Sequence, residues 1–400
     1  MSIATLPAEA VISQQQEPAR LRLDFLDGLR GLAALYVVLY HTVQFVGAGL
    51  PPLVLASLAW MRYGRYAVDV FIVLSGYCLM LPVARSADGK LRGGVGEYLK
   101  RRARRILPPY YAALALALLL AALSWKLKTP GGGQEGVLEA NFAPGVLISH
   151  LLLAHNLRFE WAYAINVAMW SVATEWQIYF IFPALLLPVW RRLGNVAVVG
   201  VGFLVGLAPY VLLPAGSNLD QARPWFLGLF ALGMAGAVVG FSDNRRLRAW
   251  RDRVWWGVLA LALFGAVCGL GIFLPEALEC GWAMDTLVGA ATACLIIGCA
   301  RSARSGDDAR RPIALRLLSA RGTVLLGAFS YSLYLVHIPL LYKGLPLLGR
   351  LHLPPLLDLI ARFAVVVPAV LAVSYLFYLV FERPFLPGQR PKKAPLSPRP

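Results

Sequence analysis

The sequence predicts an all-α integral membrane protein with about ten transmembrane helices plus a short re-entrant or interfacial helix. Three observations predict it. Of the 400 residues 58% are hydrophobic and only 15% charged, with a mean hydropathy of +0.64, far outside the soluble range. Apolar runs of about 20 residues, the length that crosses a bilayer, recur along the whole chain. Most of the basic residues, 28 of 38, fall between alternate runs.

The spans read as 29–49, 67–83, 106–125, 168–190, 196–214, 224–241, 254–274, 283–300, 323–346 and 357–380. With the N-terminus in the cytoplasm, the inward segments are 1–28, 84–105, 191–195, 242–253, 301–322 and 383–400. These hold 28 of the 38 Lys and Arg residues. That asymmetry predicts a multi-pass inner (plasma) membrane protein with both termini cytoplasmic. It also explains the net charge of +17 without a nucleic-acid partner. Residues 1–28 form a cytoplasmic segment without the apolar core and cleavage site of a secretory signal. Residues 29–382 form the membrane domain, and 383–400 a basic, Pro-rich tail expected to be disordered near anionic headgroups.

Residues 144–158 are apolar but too short to cross comfortably, and counting them would invert the later topology. They are expected to form the re-entrant or interfacial helix on the outer side. His150 and His155, five apart, do not share a helical face and are expected to be structural rather than metal ligands. The five cysteines lack framework spacing, which argues against structural disulfides. The outer loop 126–167 is the longest on that side and is expected to shape what the protein recognises there.

Chemistry-bearing residues begin with Arg30 and His41 in LDGLRGLAALYVVLYHTVQF. Eleven helical residues are nearly three turns, so both side chains share a face about 16 Å apart along the axis. With Arg30 at the membrane edge, His41 lies near mid-bilayer, where a titratable imidazole is costly and marks a proton-handling site. His337 in SYSLYLVHIPLL and Glu175 in WSVATEWQIYF fall at comparable depth, and Asp69 lies at the outer start of the second span. Isolated polar packing would explain any one of them; three at one depth favour an acid–base site. YLKRRARRILPPYY places five basic residues before the third span, suited either to setting topology or to gripping a phosphorylated ligand. The Ser75-Gly76-Tyr77 break in the second span suits close packing or substrate lining, and Ser75 lacks the setting of a nucleophile elbow.

Taken in order, the Arg-x10-His helix, GRYAVDVFIVLSGY, RRARRILPPYY, WSVATE, SYSLYLVHIP and the closing FERP at Glu382 resemble membrane acyltransferase 3 proteins over about residues 22–384. The resemblance implies transfer of an acyl group, commonly acetyl, from cytoplasmic acyl-CoA to a hydroxyl acceptor at the outer face. Such acceptors are cell-surface carbohydrates, glycolipids or small molecules. It implies His41 as the catalytic histidine, with Glu175 supporting the acceptor end. Arg30, Arg101, Arg102 and Arg105 would bind the donor, and Asp69, Ser75, Tyr77, Trp170, Tyr331 and His337 would line the substrate path. No bound cofactor is expected, since acyl-CoA, first of all acetyl-CoA, is a co-substrate. The soluble hydrolase-like domain that some relatives append is not expected here. The competing class is a multi-spanning transporter or proton-coupled flippase that uses the same intramembrane His and Glu residues.

Overall fold

A backbone buried in hydrocarbon must satisfy its own hydrogen bonds, and all the described elements are helical. The computed structural model describes residues 23–386, apart from 45–48, 87, 127–141, 214–217, 243, 275, 277–279 and 306–310. Expectations for residues 1–22, for the tail from 387 and for residues 127–141 of the 126–167 loop lie outside the described residues.

The chain opens with α1 (Asp24–Val43), α2 (Ala67–Ala84) and α3 (Gly94–Lys126), followed by the short α4 (Pro144–Leu151). Next come α5 (Met169–Ile181), α6 (Leu187–Leu212), α7 (Phe226–Phe241), α8 (Trp256–Phe273) and α9 (Gly281–Ser305). It closes with α10 (Ser330–Gly349) and a last helical segment, Pro355–Phe385. By length and composition six described helical segments are able to cross a membrane, and eight if two bent pairs each count as one span. The expected ten is therefore not reached on those criteria, for two visible reasons. Asp24, Asp27 and Arg30 make α1 too polar in its first half. The expected spans 168–190 and 196–214 run together as Met169–Leu212. Gly194 interrupts that segment with φ 83° and ψ −169°, a left-handed conformation that glycine adopts without steric cost. Thr174, near the start of the segment, donates to the carbonyl of Ala222, just beyond its end (2.9 Å), so the chain turns back between them.

Loops collect at two ends of the bundle. At one end Arg191 donates to Gly89 O (2.8 Å), and Arg251 and Arg304 both donate to Gly240 O (3.1 and 2.9 Å). At the other, Arg62 donates to Gly271 O (2.6 Å) and Arg223 pairs with Asp285 (2.9 Å). The arginine-bonded loops at the first end are those expected to face the cytoplasm.

Close backbone approach holds the centre together. A Cβ added at Gly76 would collide with Phe230 O, and one at Gly233 with Val73 O, so α2 and α7 touch through reciprocal glycines. Gly76→Ala is expected to destabilise the protein by about 1–3 kcal/mol, the usual cost of overpacking. Thermal unfolding of the solubilised protein would show it, and an unchanged midpoint would contradict the packing described here.

The short α4 does not cross. Tyr110 and Tyr111, early in the apolar part of α3, donate to His150 O (2.9 Å) and Leu151 O (2.8 Å). Gln177 of α5 donates to Leu153 O (3.1 Å), where Leu153 turns the chain at φ 52°. The segment thus enters among the helices and doubles back. That reversal brings His150 and His155 face to face, ring centroids 3.9 Å apart, although no single helix could align them.

Candidate active site

The eleven-residue step along α1 sets the two poles of the site. At one pole the Arg30 guanidinium bonds Asp27 Oδ1 (2.9 Å) and Cys78 Sγ of α2 (3.0 Å). At the other, in the last turn of α1, His41 Nδ1 lies 2.7 Å from Gln44 Oε1. Its ring stands 5.3 Å from that of His337 on α10, tilted by 43°. His337 Nδ1 donates to Tyr334 O (2.7 Å). An imidazole whose Nδ1 carries the proton presents Nε2 as its basic nitrogen. His337 is fully buried and its Nε2 has no hydrogen-bond partner.

A cavity of about 200 Å³ opens on the Arg30 side. Its charged lining is three arginines, Arg30, Arg102 and Arg105, against one carboxylate, Glu175. Arg102 and Arg105 share a face of α3 at i,i+3 spacing, and Arg102 Nε is buried without a hydrogen-bond partner. Phe71, Ile72, Leu79, Ile106 and Val172 supply apolar walls. Such a lining combines fixed positive charge with apolar wall.

Hydroxyl groups fill the polar remainder. Tyr179 donates to Glu175 Oε1 (2.6 Å) and lies 3.1 Å from Ser75 Oγ. Tyr331 donates to Ile106 O (3.1 Å). Tyr334 and Ser171 hydroxyls lie 2.6 Å apart. The start of α10, which carries Ser330, Tyr331 and Tyr334 into this lining, follows a 71° bend after Arg321–Ala328, so the expected span 323–346 is broken. Glu382, from the last helical segment, accepts from the Ser332 N–H (3.1 Å) and hydroxyl (2.5 Å). It thereby caps a helix start that has no side-chain cap of its own.

Six of the residues singled out in the sequence line this cavity: Arg30, Ser75, Arg102, Arg105, Glu175 and Tyr331. His41 and His337 form the adjacent pair, with the Tyr334 ring between cavity and His337 (centroids 5.7 Å). Glu175 stands on the arginine side, bonded to Tyr179, rather than beside the imidazoles. Arg101 turns away to the loop, where it bonds Arg92 O (3.0 Å) and approaches Glu97 (3.9 Å). Asp69 and Trp170 belong to a different group at the opposite end. There Asp285 accepts from Arg223 and Trp225, each at 2.9 Å, and the Arg223 guanidinium lies 5.1 Å over the Trp170 ring. Asp69 is buried beside Asp285. Tyr77 is buried against the α7 glycines and does not line this cavity. Cys78, Ser171, Tyr179 and Tyr334 were not singled out, yet helical spacing marks them. Ser171, Glu175 and Tyr179 repeat every four residues on α5, and Ser75 and Cys78 or Tyr331 and Tyr334 every three.

The profile of a family described as an acyltransferase domain matches residues 23–379. A Komagataeibacter xylinus protein bearing the name of a membrane-bound transacylase, BcsY, is 28% identical over 392 residues, covering 96% of this chain and 87% of that protein. The acyltransferase MdmB of Streptomyces mycarofaciens is 28% identical over 356 residues, 83% of this chain and 82% of its own. The peptidoglycan O-acetyltransferase OatA of Listeria monocytogenes is 25% identical over 211 residues, half of this chain and 30% of its own. No solved structure matches.

Proposed function

The chain belongs to this acyltransferase family, a multi-pass membrane protein by its helices, and on that premise we propose that it transfers an acyl group, acetyl first of all, from cytoplasmic acyl-CoA to a hydroxyl of a carbohydrate or other acceptor at the outer face of the inner membrane. The observation that carries the proposal is the pairing on one face of α1 of an arginine-walled cavity with two facing imidazoles.

Coenzyme A is a polyanion on a long, flexible pantetheine arm. Its phosphates would stay with Arg102 and Arg105 at the mouth, where guanidinium forks bind phosphate in paired hydrogen bonds. The arm would pass Arg30 and the apolar wall of Phe71 and Ile72 toward the imidazoles. His41 Nε2 would then take the proton from an acceptor hydroxyl as its oxygen attacks the thioester carbon. Collapse of the tetrahedral intermediate breaks the C–S bond, and the departing thiolate recovers the proton from the imidazolium. Holding donor and acceptor on either side of one histidine supplies the positional part of the rate. Glu175, through Tyr179 and Ser75, keeps the hydroxyls of the donor side in order.

Donor chemistry is tested by calorimetric titration of the solubilised protein with CoA and with pantetheine, which lacks the phosphates. CoA is expected to bind at least about 10-fold tighter, since each charge-assisted contact contributes about 1.5–3 kcal/mol. Equal binding of the two would overturn the acyl-CoA assignment.

A further inference from the structure

We propose that the Tyr334 hydroxyl, supported by Ser171, is the hydrogen-bond donor that receives the thioester carbonyl oxygen during transfer. This rests on the acyltransferase reading above and names a catalytic residue that reading does not need.

Counting protons singles out this hydroxyl. Most hydroxyls of the cavity spend their hydrogen on a fixed acceptor. Tyr179 gives its proton to Glu175, and Ser75 is then left to donate to Tyr179 (3.1 Å). Tyr331 donates to Ile106 O and Ser330 to Gly327 O (2.9 Å). Tyr334 and Ser171 differ. They face each other at 2.6 Å, so one hydroxyl donates to the other and one of their two protons lies between them. Ser171 has a second acceptor only at 3.4 Å, the Ala168 carbonyl. Two arrangements satisfy the pair: Tyr334 donates to Ser171 while Ser171 donates to Ala168 O, or Ser171 donates to Tyr334. The second leaves the Tyr334 proton uncommitted among the described residues, and in it Tyr334 can donate to an incoming oxygen.

Its position suits that proton. The Tyr334 ring lies between the cavity and His337, 5.7 Å from the His337 ring and 5.7 Å from Phe71. The Tyr334 backbone carbonyl also orients His337. A thioester carried past Arg30 would meet this hydroxyl as it reaches the imidazoles. As the acceptor oxygen bonds to carbon, the carbonyl π pair moves onto oxygen, and Tyr334 donates to the charge that forms there. Ser171 donates to Tyr334 and so strengthens the bond that Tyr334 makes. Collapse restores the carbonyl and expels the CoA thiolate. Tyr334 stays protonated throughout, so the proton count of the His41 cycle is unchanged.

The test is steady-state acetyl transfer by wild type, Tyr334→Phe and Ser171→Ala in proteoliposomes, with CoA binding measured on each. Phe keeps the ring and its packing. Loss of one donor to a developing oxyanion lowers kcat by about 100-fold, with donor KM and CoA affinity unchanged within about 2-fold. Ser171→Ala is expected to lower kcat less, and the double variant no further than Tyr334→Phe. An unchanged kcat in Tyr334→Phe overturns the inference, as does a rise in KM at constant kcat or a loss of CoA binding, either of which makes Tyr334 a binding or packing residue. Wild type without His41-dependent transfer would instead overturn the acyltransferase mechanism itself.

Discussion

Alanine at His41 is expected to reduce acyl transfer about 1,000-fold while leaving donor affinity unchanged, within the range that general-base catalysis contributes. The two halves of this expectation come from different parts of the site. Proton transfer depends on an imidazole nitrogen, and His41 ends α1 on the far side of Tyr334 from the cavity. Donor binding depends on Arg30, about 16 Å back along that helix, and on Arg102 and Arg105 of α3, which line the same cavity. His337 does not replace His41, since its burial and its bond to Tyr334 O leave it facing the His41 ring and not the solvent side. A parallel fall in kcat and kcat/KM would mark an interaction made only in the transition state. A rise in donor KM would place His41 in binding instead.

Replacing Arg102 and Arg105 together with alanine is expected to raise donor KM about 100-fold or more and to change kcat little. Each guanidinium lost removes about 1.5–3 kcal/mol of charge-assisted bonding to phosphate. The two share one face of α3 and both line the cavity, so their loss removes two of its three cationic groups. Arg101→Ala is the internal control. Its side chain is tied to Arg92 O and Glu97 in the loop, so less than about a 3-fold change in KM is expected, the scale of an exposed ion pair. Kinetics over a range of acetyl-CoA concentrations separate the three variants. Equal effects at Arg101 and Arg102 would show that the basic cluster acts as a diffuse patch and not through the cavity.

Much of this architecture was legible in the sequence because the membrane restricts backbone to a few forms. Alternating basic loops predicted which segments share an end, and loops expected at one end are joined there by Arg191, Arg251 and Arg304. Phase along α1 predicted a shared face for Arg30 and His41, and comparable depth predicted that His337 would come near His41. What sequence could not supply was side-chain reach and chain reversal. Glu175 was expected with the imidazoles from its depth alone. Its bearing is set by the face that carries Ser171 and Tyr179, and long arginine side chains extend up to it. Asp69 shares a helix with Ser75 but lies over a turn away, where it meets Asp285 of α9, a partner 216 positions distant that no local pattern reveals. The bend after Ala328 was hidden because its cap, Glu382, comes from the last helical segment. The stacking of His150 on His155 likewise depends on a turn at Leu153 that periodicity treats as helix.

The central claim is that His41 connects a CoA-filled cavity on one side to an acceptor on the other. Single-turnover transfer of labelled acetyl from acetyl-CoA, measured in proteoliposomes for wild type and His41→Ala at saturating donor, tests it most directly. His41-dependent transfer of label from CoA to an added hydroxyl acceptor is expected, with CoA bound equally by both proteins. Transfer at the same rate in the alanine variant would contradict it.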